Sequence, residues 1–269
     1  MNPSVSVIIP NFDRADLLVH AVRSCLDQTY PVAEVLVCDD GSSDDSEARI
    51  NALSDPRVKW LPGPHAGRPA VPRNRGIAAA TGAWLAFLDS DDAWVPGKLA
   101  IQFAHLAVTH AGASCSNALR VIPGSGSQDP YFNTPAATLS LGDLLALNRV
   151  ICSSALVRKD HVVNAGGFPE EPEMKALEDY ALWLRICAFT SFDYCAETLV
   201  HYTDAPASSV RAAYTDGSLV REAALSNLWA WSQRNTQAFS STQRAAIARH
   251  LRASKRTAGR PPWDWLFIR

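Results

Sequence analysis

No uncharged apolar run in this 269-residue chain approaches the roughly 20 residues that cross a bilayer as a helix, so a helical membrane protein is not expected. Met1-Asn2-Pro3-Ser4 leads straight into a strand and lacks the basic and apolar regions of a signal peptide, which predicts a cytoplasmic protein. None of the six cysteines shows Cys-x-x-Cys spacing, and all sit in apolar neighbourhoods, so they read as reduced core residues rather than disulfides or metal ligands. Internal repeats are also lacking. A hydrophobic content of 47% argues against disorder. Net charge is nearly absent at −2, but this hides an asymmetry: residues 1–210 carry −9 and residues 211–269 carry +7. A basic tail behind an acidic body suggests an anionic surface as its partner, or simply a solvated basic helix; no nucleic-acid partner is expected.

What is present is a succession of short apolar strands. Val5–Ile9 ends at Pro10-Asn11, and a helical spacing of Leu17, Leu18, Ala21, Val22, Cys25 and Leu26 follows, with Asp13 or Asp16 as its expected cap. Glu34–Cys38 is a second strand, Asp44–Leu53 a helix, Val58–Trp60 a third strand and Arg73–Ala80 a helix ended by Gly82 as its C′ residue. Ala83–Leu88 is the next strand. This alternation predicts a parallel, doubly wound α/β sheet with ligands at the carboxyl ends of its strands.

The most informative stretch is A-W-L-A-F-L-D-S-D-D, in which the last of these strands ends in Asp89, Asp91 and Asp92. A buried strand that delivers clustered carboxylates can hold a hard divalent cation beside a phosphate, although such acids also serve as caps and turn residues. Two other strands end in polar clusters, Pro10-Asn11-Phe12-Asp13 and Asp39-Asp40-Gly41-Ser42, and acids at three ends of one sheet point to a site.

Further along, Pro96–Thr109 reads as a helix, Pro123–Pro135 as an exposed loop and Ser153–Val157 as a strand. In L-E-D-Y-A-L-W-L-R-I-C, residues 177–187, the pattern is helical, with Glu178 and Asp179 in the first turn. Acids there answer the helix dipole, worth about 0.3–1 kcal/mol. Beyond Asp216 the chain reads as mostly helical.

In order and spacing, V-S-V-I-I-P-N-F-D-R, V-C-D-D-G-S-S-D-D-S, R-N-R-G-I-A-A-A-T-G-A-W-L-A-F-L-D-S-D-D-A-W, G-G-F-P-E-E and L-E-D-Y-A-L-W-L-R resemble the glycosyltransferases of family 2 over about residues 4–204. The resemblance implies a GT-A fold, a Rossmann-like mixed, mainly parallel sheet flanked by helices, here with a C-terminal helical extension. It also implies an inverting transfer of sugar from a nucleotide donor. Residues 1–210 would be the catalytic domain, with a nucleotide-sugar half to about residue 95 and an acceptor half after it, and residues 211–269 the basic extension.

Carried over by position, Pro10 and Phe12 fall on the first nucleotide-contacting loop and Asp40 on the acid that binds the pyrimidine. Arg68 falls where some members place a base-contacting arginine. Asp89, Asp91 and Asp92 match the D-x-D-D signature for the ribose and a Mn²⁺ or Mg²⁺ ion, with Asp91 favoured as the metal ligand and Asp92 or Asp89 second. Asp179 matches the base that takes the acceptor's proton. There are two departures: Asp13 replaces the usual Asn before Arg14, and His201-Tyr202-Thr203 replaces Y-R-x-H, losing the late phosphate or acceptor contact. His201 is a candidate further metal ligand, set against a structural role at a strand end.

The resulting expectation is an inverting enzyme that moves a sugar from a UDP-sugar to a glycan or lipid-linked glycan acceptor in bacterial surface polysaccharide or lipopolysaccharide assembly. A nucleotidyltransferase is the alternative enzyme, but the first strand is not followed by a glycine-rich phosphate loop. A catalytically silent nucleotide-sugar or glycan binder is the third reading. Six basic residues between Arg244 and Arg260 precede Trp263, Trp265 and Phe267, a combination suited to anionic headgroups on the inner face of the cell membrane, or else to packing on the body or in a homodimer.

Overall fold

The first apolar run becomes strand β1 (Val5–Asn11), almost wholly buried. The structure is a computed structural model and describes residues 3–124, 128–133, 137–205 and 217–256. Strands β2 (Glu34–Asp39), β3 (Val58–Leu61) and β4 (Trp84–Phe87) run parallel to β1 in the order β3-β2-β1-β4. Side chains alternate across this sheet: Ile8, Leu36 and Phe87 enter one core, while Val7, Ile9 and Val37 enter another on the opposite face. Helices α1 (Ala15–Leu26), α2 (Ser46–Asn51) and α4 (Lys98–Thr109) cover the second face. The first is covered by α3 (Ala70–Ala79), α5 (Leu141–Ala146), α6 (Lys159–Asn164) and α7 (Glu178–Ile186).

Four expectations are corrected. Neither Asp13 nor Asp16 caps α1: the Ala15 N–H donates to Asp44 at 3.0 Å, while Asp13, at φ 47°, accepts from the Ser43 N–H at 2.7 Å. Helix α3 starts at Ala70, and its end at Ala80 is extended, so Gly82 is no C′ residue. A Cβ on Gly82 would come within 2.6 Å of the Ser6 nitrogen, which makes close approach to β1 the reason for glycine there.

The sheet is mixed, as the family resemblance implies, and not wholly parallel as the strand–helix alternation alone predicts. Residues Cys152–Ser154 form a 3-10 turn at the cleft edge, so β9 (Leu156–Arg158) starts there and runs back, antiparallel to both β4 and β6 (Ala113–Val121). Between Pro123 and Pro135, β7 (Gln128–Pro130) pairs with β6, and Phe132 is buried where a loop was expected. Asn117 clasps Phe132 by giving Nδ2–H to its carbonyl and accepting its N–H.

Strand β10 (Phe192–Thr203) pairs parallel with β6 through two irregularities and carries the short antiparallel strands β5 (Ala93–Trp94) and β8 (Thr138–Leu139). Behind α7, α8 (Gly217–Arg234) and α9 (Ser241–Arg256) bury Ala224, Leu225, Leu228, Trp231 and Ile247 in the first core. Trp263, Trp265, Phe267 and Arg260 lie outside the described residues. No described helix is long and apolar enough to cross a membrane, and all six cysteines are buried thiols.

Candidate active site

The carboxyl ends of β1, β2 and β4 open on one cleft of about 460 Å³. Pro10, Phe12, Asp40, Arg68, Asp89 and Asp91 line it, and Asp179 enters from the first turn of α7. The sheet edge and α7 thus meet as the three polar strand ends imply.

At one end Phe12, 43% exposed, packs against His65 with ring centroids 4.2 Å apart. Asp40 is buried, and its carboxylate accepts the Ala66 and Gly67 N–H groups, each at 2.9 Å. This fixes the loop that carries His65, whose Nδ1 lies 3.0 Å from the Asp40 carbonyl oxygen. Gly41 permits the turn: its φ is +82°, and a Cβ there would stand 2.8 Å from the His65 nitrogen.

At the centre the acids diverge. Asp89 accepts from Arg73 at 2.6 Å, and Asp91 pairs with Arg14. Burial and the charge of Asp89 raise the Asp91 carboxyl above its usual value, against the pull of Arg14. Asp92 turns away from the cleft and is 3% exposed. Its carboxylate accepts the Ser153 hydroxyl at 2.5 Å and the Thr203 N–H at 2.8 Å. Burial, then Asp89 and Asp91, push it well above the usual carboxylate range. Asp92 therefore braces the acid loop and does not line the cleft. His201 is exposed on β10 and does not line the cleft, whereas Tyr202 and Thr203 do.

At the far end Glu178 and Asp179 part company. Glu178 is buried against Arg73 at 2.9 Å, and burial raises its carboxyl despite that partner. Asp179 is half-buried, with Oδ1 accepting the Tyr180 N–H at 2.6 Å. Its neighbours Tyr180 and Trp183 lie in the core and do not line the cleft.

Three participants were not foreseen: His65, Arg73 and the pairing role of Arg14. Arg73 lies within the R-N-R-G stretch at the start of α3, where a charged residue looks like solvated surface; only the buried acids opposite reveal its use. Buried atoms without a hydrogen-bond partner include Arg68 Nε, Arg73 Nε and Glu178 Oε2, all on cleft residues, and such groups suit a polar ligand.

Residues 6–162 match the family described as "Glycosyl transferase family 2". Over 186 residues, 68% of this chain and 69% of the relative, the chain is 34% identical to the Escherichia coli UDP-Glc:alpha-D-GlcNAc-diphosphoundecaprenol beta-1,3-glucosyltransferase WfaP. Among solved structures it resembles S. aureus TarS 1-349 in complex with UDP-GlcNAc, with TM-score 0.73 and 19% identity over 94% of this chain and 71% of that one. It also resembles the mannosyltransferase PcManGT from Pyrobaculum calidifontis in complex with GDP-Man and Mn2+, with TM-score 0.62 and 18% identity over 97% and 77% of the two chains. These structural likenesses show the GT-A arrangement of sheet and helices.

Proposed function

The chain belongs to glycosyl transferase family 2, and from that premise we propose that it is an inverting, divalent-metal-dependent enzyme that moves a hexosyl or N-acetylhexosaminyl group from a UDP-sugar to a lipid-linked glycan. The observation that carries this reading is the convergence of Phe12, Asp40, Asp89, Asp91 and Asp179 on one cleft. The relative WfaP is named for UDP-glucose and a diphosphoundecaprenol acceptor, which supports the donor nucleotide and the acceptor class.

The Phe12–His65 pair offers a face for the uracil, and Asp40, by anchoring residues 66–67, shapes the rim against which its edge would rest. Arg68 closes the same end. Asp89 and Asp91 are the residues that would hold the cation and the ribose hydroxyls: they are oxygen donors, and a dication would offset both the burial and the repulsion from Asp89 that lift the Asp91 carboxyl. When bound, Mn²⁺ or Mg²⁺ supplies Lewis-acid stabilisation of the negative charge on the departing diphosphate. Asp179 receives the acceptor hydroxyl's proton, its carboxylate oriented by the Tyr180 N–H.

Thermal shift with a panel of nucleotide sugars and Mn²⁺ identifies the donor, because a bound ligand stabilises by mass action. With that donor, Asp179→Asn should lower transfer by about 10²–10⁴-fold while leaving donor affinity nearly unchanged. An equal loss of donor affinity would remove Asp179 from the role of base.

A further inference from the structure

At the other end of β10, on the order of 30 Å along the strand from Thr203, a second set of ligating side chains meets. Asp193 and Cys195 are two positions apart and so share one face of the strand, where His105 of α4 reaches them. His105 Nδ1 is 3.5 Å from Asp193 Oδ2, and Cys195 Sγ is 3.7 Å from the same oxygen. All three ligand atoms lie within 4.8 Å of one another, the one such group of three found among the described residues.

From this geometry we propose that His105, Asp193 and Cys195 form a binding site for one zinc-class dication, separate from the cleft and independent of the glycosyl-transfer reading. Tetrahedral zinc at its usual bond lengths separates nitrogen, oxygen and sulfur ligands by roughly 3.3–3.7 Å, so the two measured spacings already suit it. One thiolate, one imidazole and one carboxylate form a mixed set that favours Zn²⁺ over the hard Mg²⁺ or Mn²⁺ expected of the cleft acids. No Cys-x-x-Cys spacing marks the site, because strand β10 and helix α4 assemble it from distant positions.

Supporting residues are in place. Ser114 stands 3.8 Å from Cys195 Sγ, and the hydroxyls of Thr109 and Ser114 face Asp193. Coordination would displace the Cys195 thiol proton to solvent, leaving the thiolate on the ion. The His105 side chain is 40% exposed and gives the ion an entrance. A bound ion would tie α4 to the start of the strand whose far end braces Asp92.

The test uses the full chain stripped with chelator and titrated with Co²⁺, then with Zn²⁺ against a chromophoric chelator. Wild type and Asp91→Ala should both show the near-ultraviolet thiolate-to-cobalt band and bind one Zn²⁺ at this site. Cys195→Ser should lose the band, and His105→Ala, a change at a partly exposed position, should lose at least about tenfold in affinity. Zn²⁺ should raise the melting temperature of wild type and Asp91→Ala but not of His105→Ala. Absence of the band in wild type, its survival in Cys195→Ser, or an equal thermal shift in all three proteins would overturn the proposal.

Discussion

Arg73 and Glu178, 105 positions apart in the chain, meet as a buried ion pair at 2.9 Å. The same guanidinium holds Asp89 at 2.6 Å, so one side chain ties the acid loop after β4 to the helix that presents Asp179. One residue thereby bridges the acid loop and the turn that carries the proposed base.

Replacing that residue should be costly. Arg73→Met leaves two carboxylates facing each other without a cation, and breaking a buried pair costs about 3–5 kcal/mol. Urea unfolding should show that loss, and adding Glu178→Gln should recover part of it, because one uncompensated charge is then removed. No recovery in the double variant would mean that Arg73 stabilises through packing on Phe168, over whose ring it lies at 5.2 Å.

Arg14 occupies Asp91 and competes with any cation for that carboxylate. The pair is partly exposed, so its worth is about 0.2–1 kcal/mol. Arg14→Ala should therefore lower the Mn²⁺ concentration needed for half-maximal donor binding by up to about fivefold. A higher metal requirement would instead place Arg14 among the groups that bind the donor.

Gly41→Ala should damage the base end of the cleft. Positive φ costs an alanine about 1–2 kcal/mol, and the added Cβ meets backbone rather than a yielding side chain. Donor KM should rise with little change in kcat. An unchanged KM would show that the loop bearing His65 takes no part in donor binding.

Lys98 is wholly buried, donates to Gln102 at 2.7 Å and lies 4.3 Å from the Trp94 ring centroid. Burial lowers its ammonium to about 7. The unfolded chain keeps this proton to about pH 10.4, so between the two values the unfolded state binds more protons and stability rises with pH. The melting temperature of wild type relative to Lys98→Met should climb from pH 7 to pH 10 and be flat below about pH 7. Parallel profiles for the two proteins would refute it.

Most of the sheet's first half was legible because β1, β2 and β4 are buried on both faces and read as short, nearly continuous apolar runs. The two longest strands were not. β6 buries Ser114, Ser116 and Asn117, polar residues whose satisfaction by Gln102, by backbone and by Phe132 only the fold reveals. β10 loses its period at two irregularities between Cys195 and Val200. In the cleft, strand-end acids could be found from position, but not their direction: Asp91 faces the cavity and its neighbour Asp92 faces Ser153, a difference set by partners far along the chain.

Thr203 closes the acid loop, giving its N–H to Asp92 and its hydroxyl to the Asp91 carbonyl at 2.5 Å, across 111 and 112 positions of chain. During synthesis the acids of this loop leave the ribosome long before the residue that braces them. The parallel strands β1 to β4 can pair while the chain is still growing, but the corner proposed to face the donor phosphates matures only once β10 is complete. The order of translation therefore separates the moment the core forms from the moment the enzyme becomes competent.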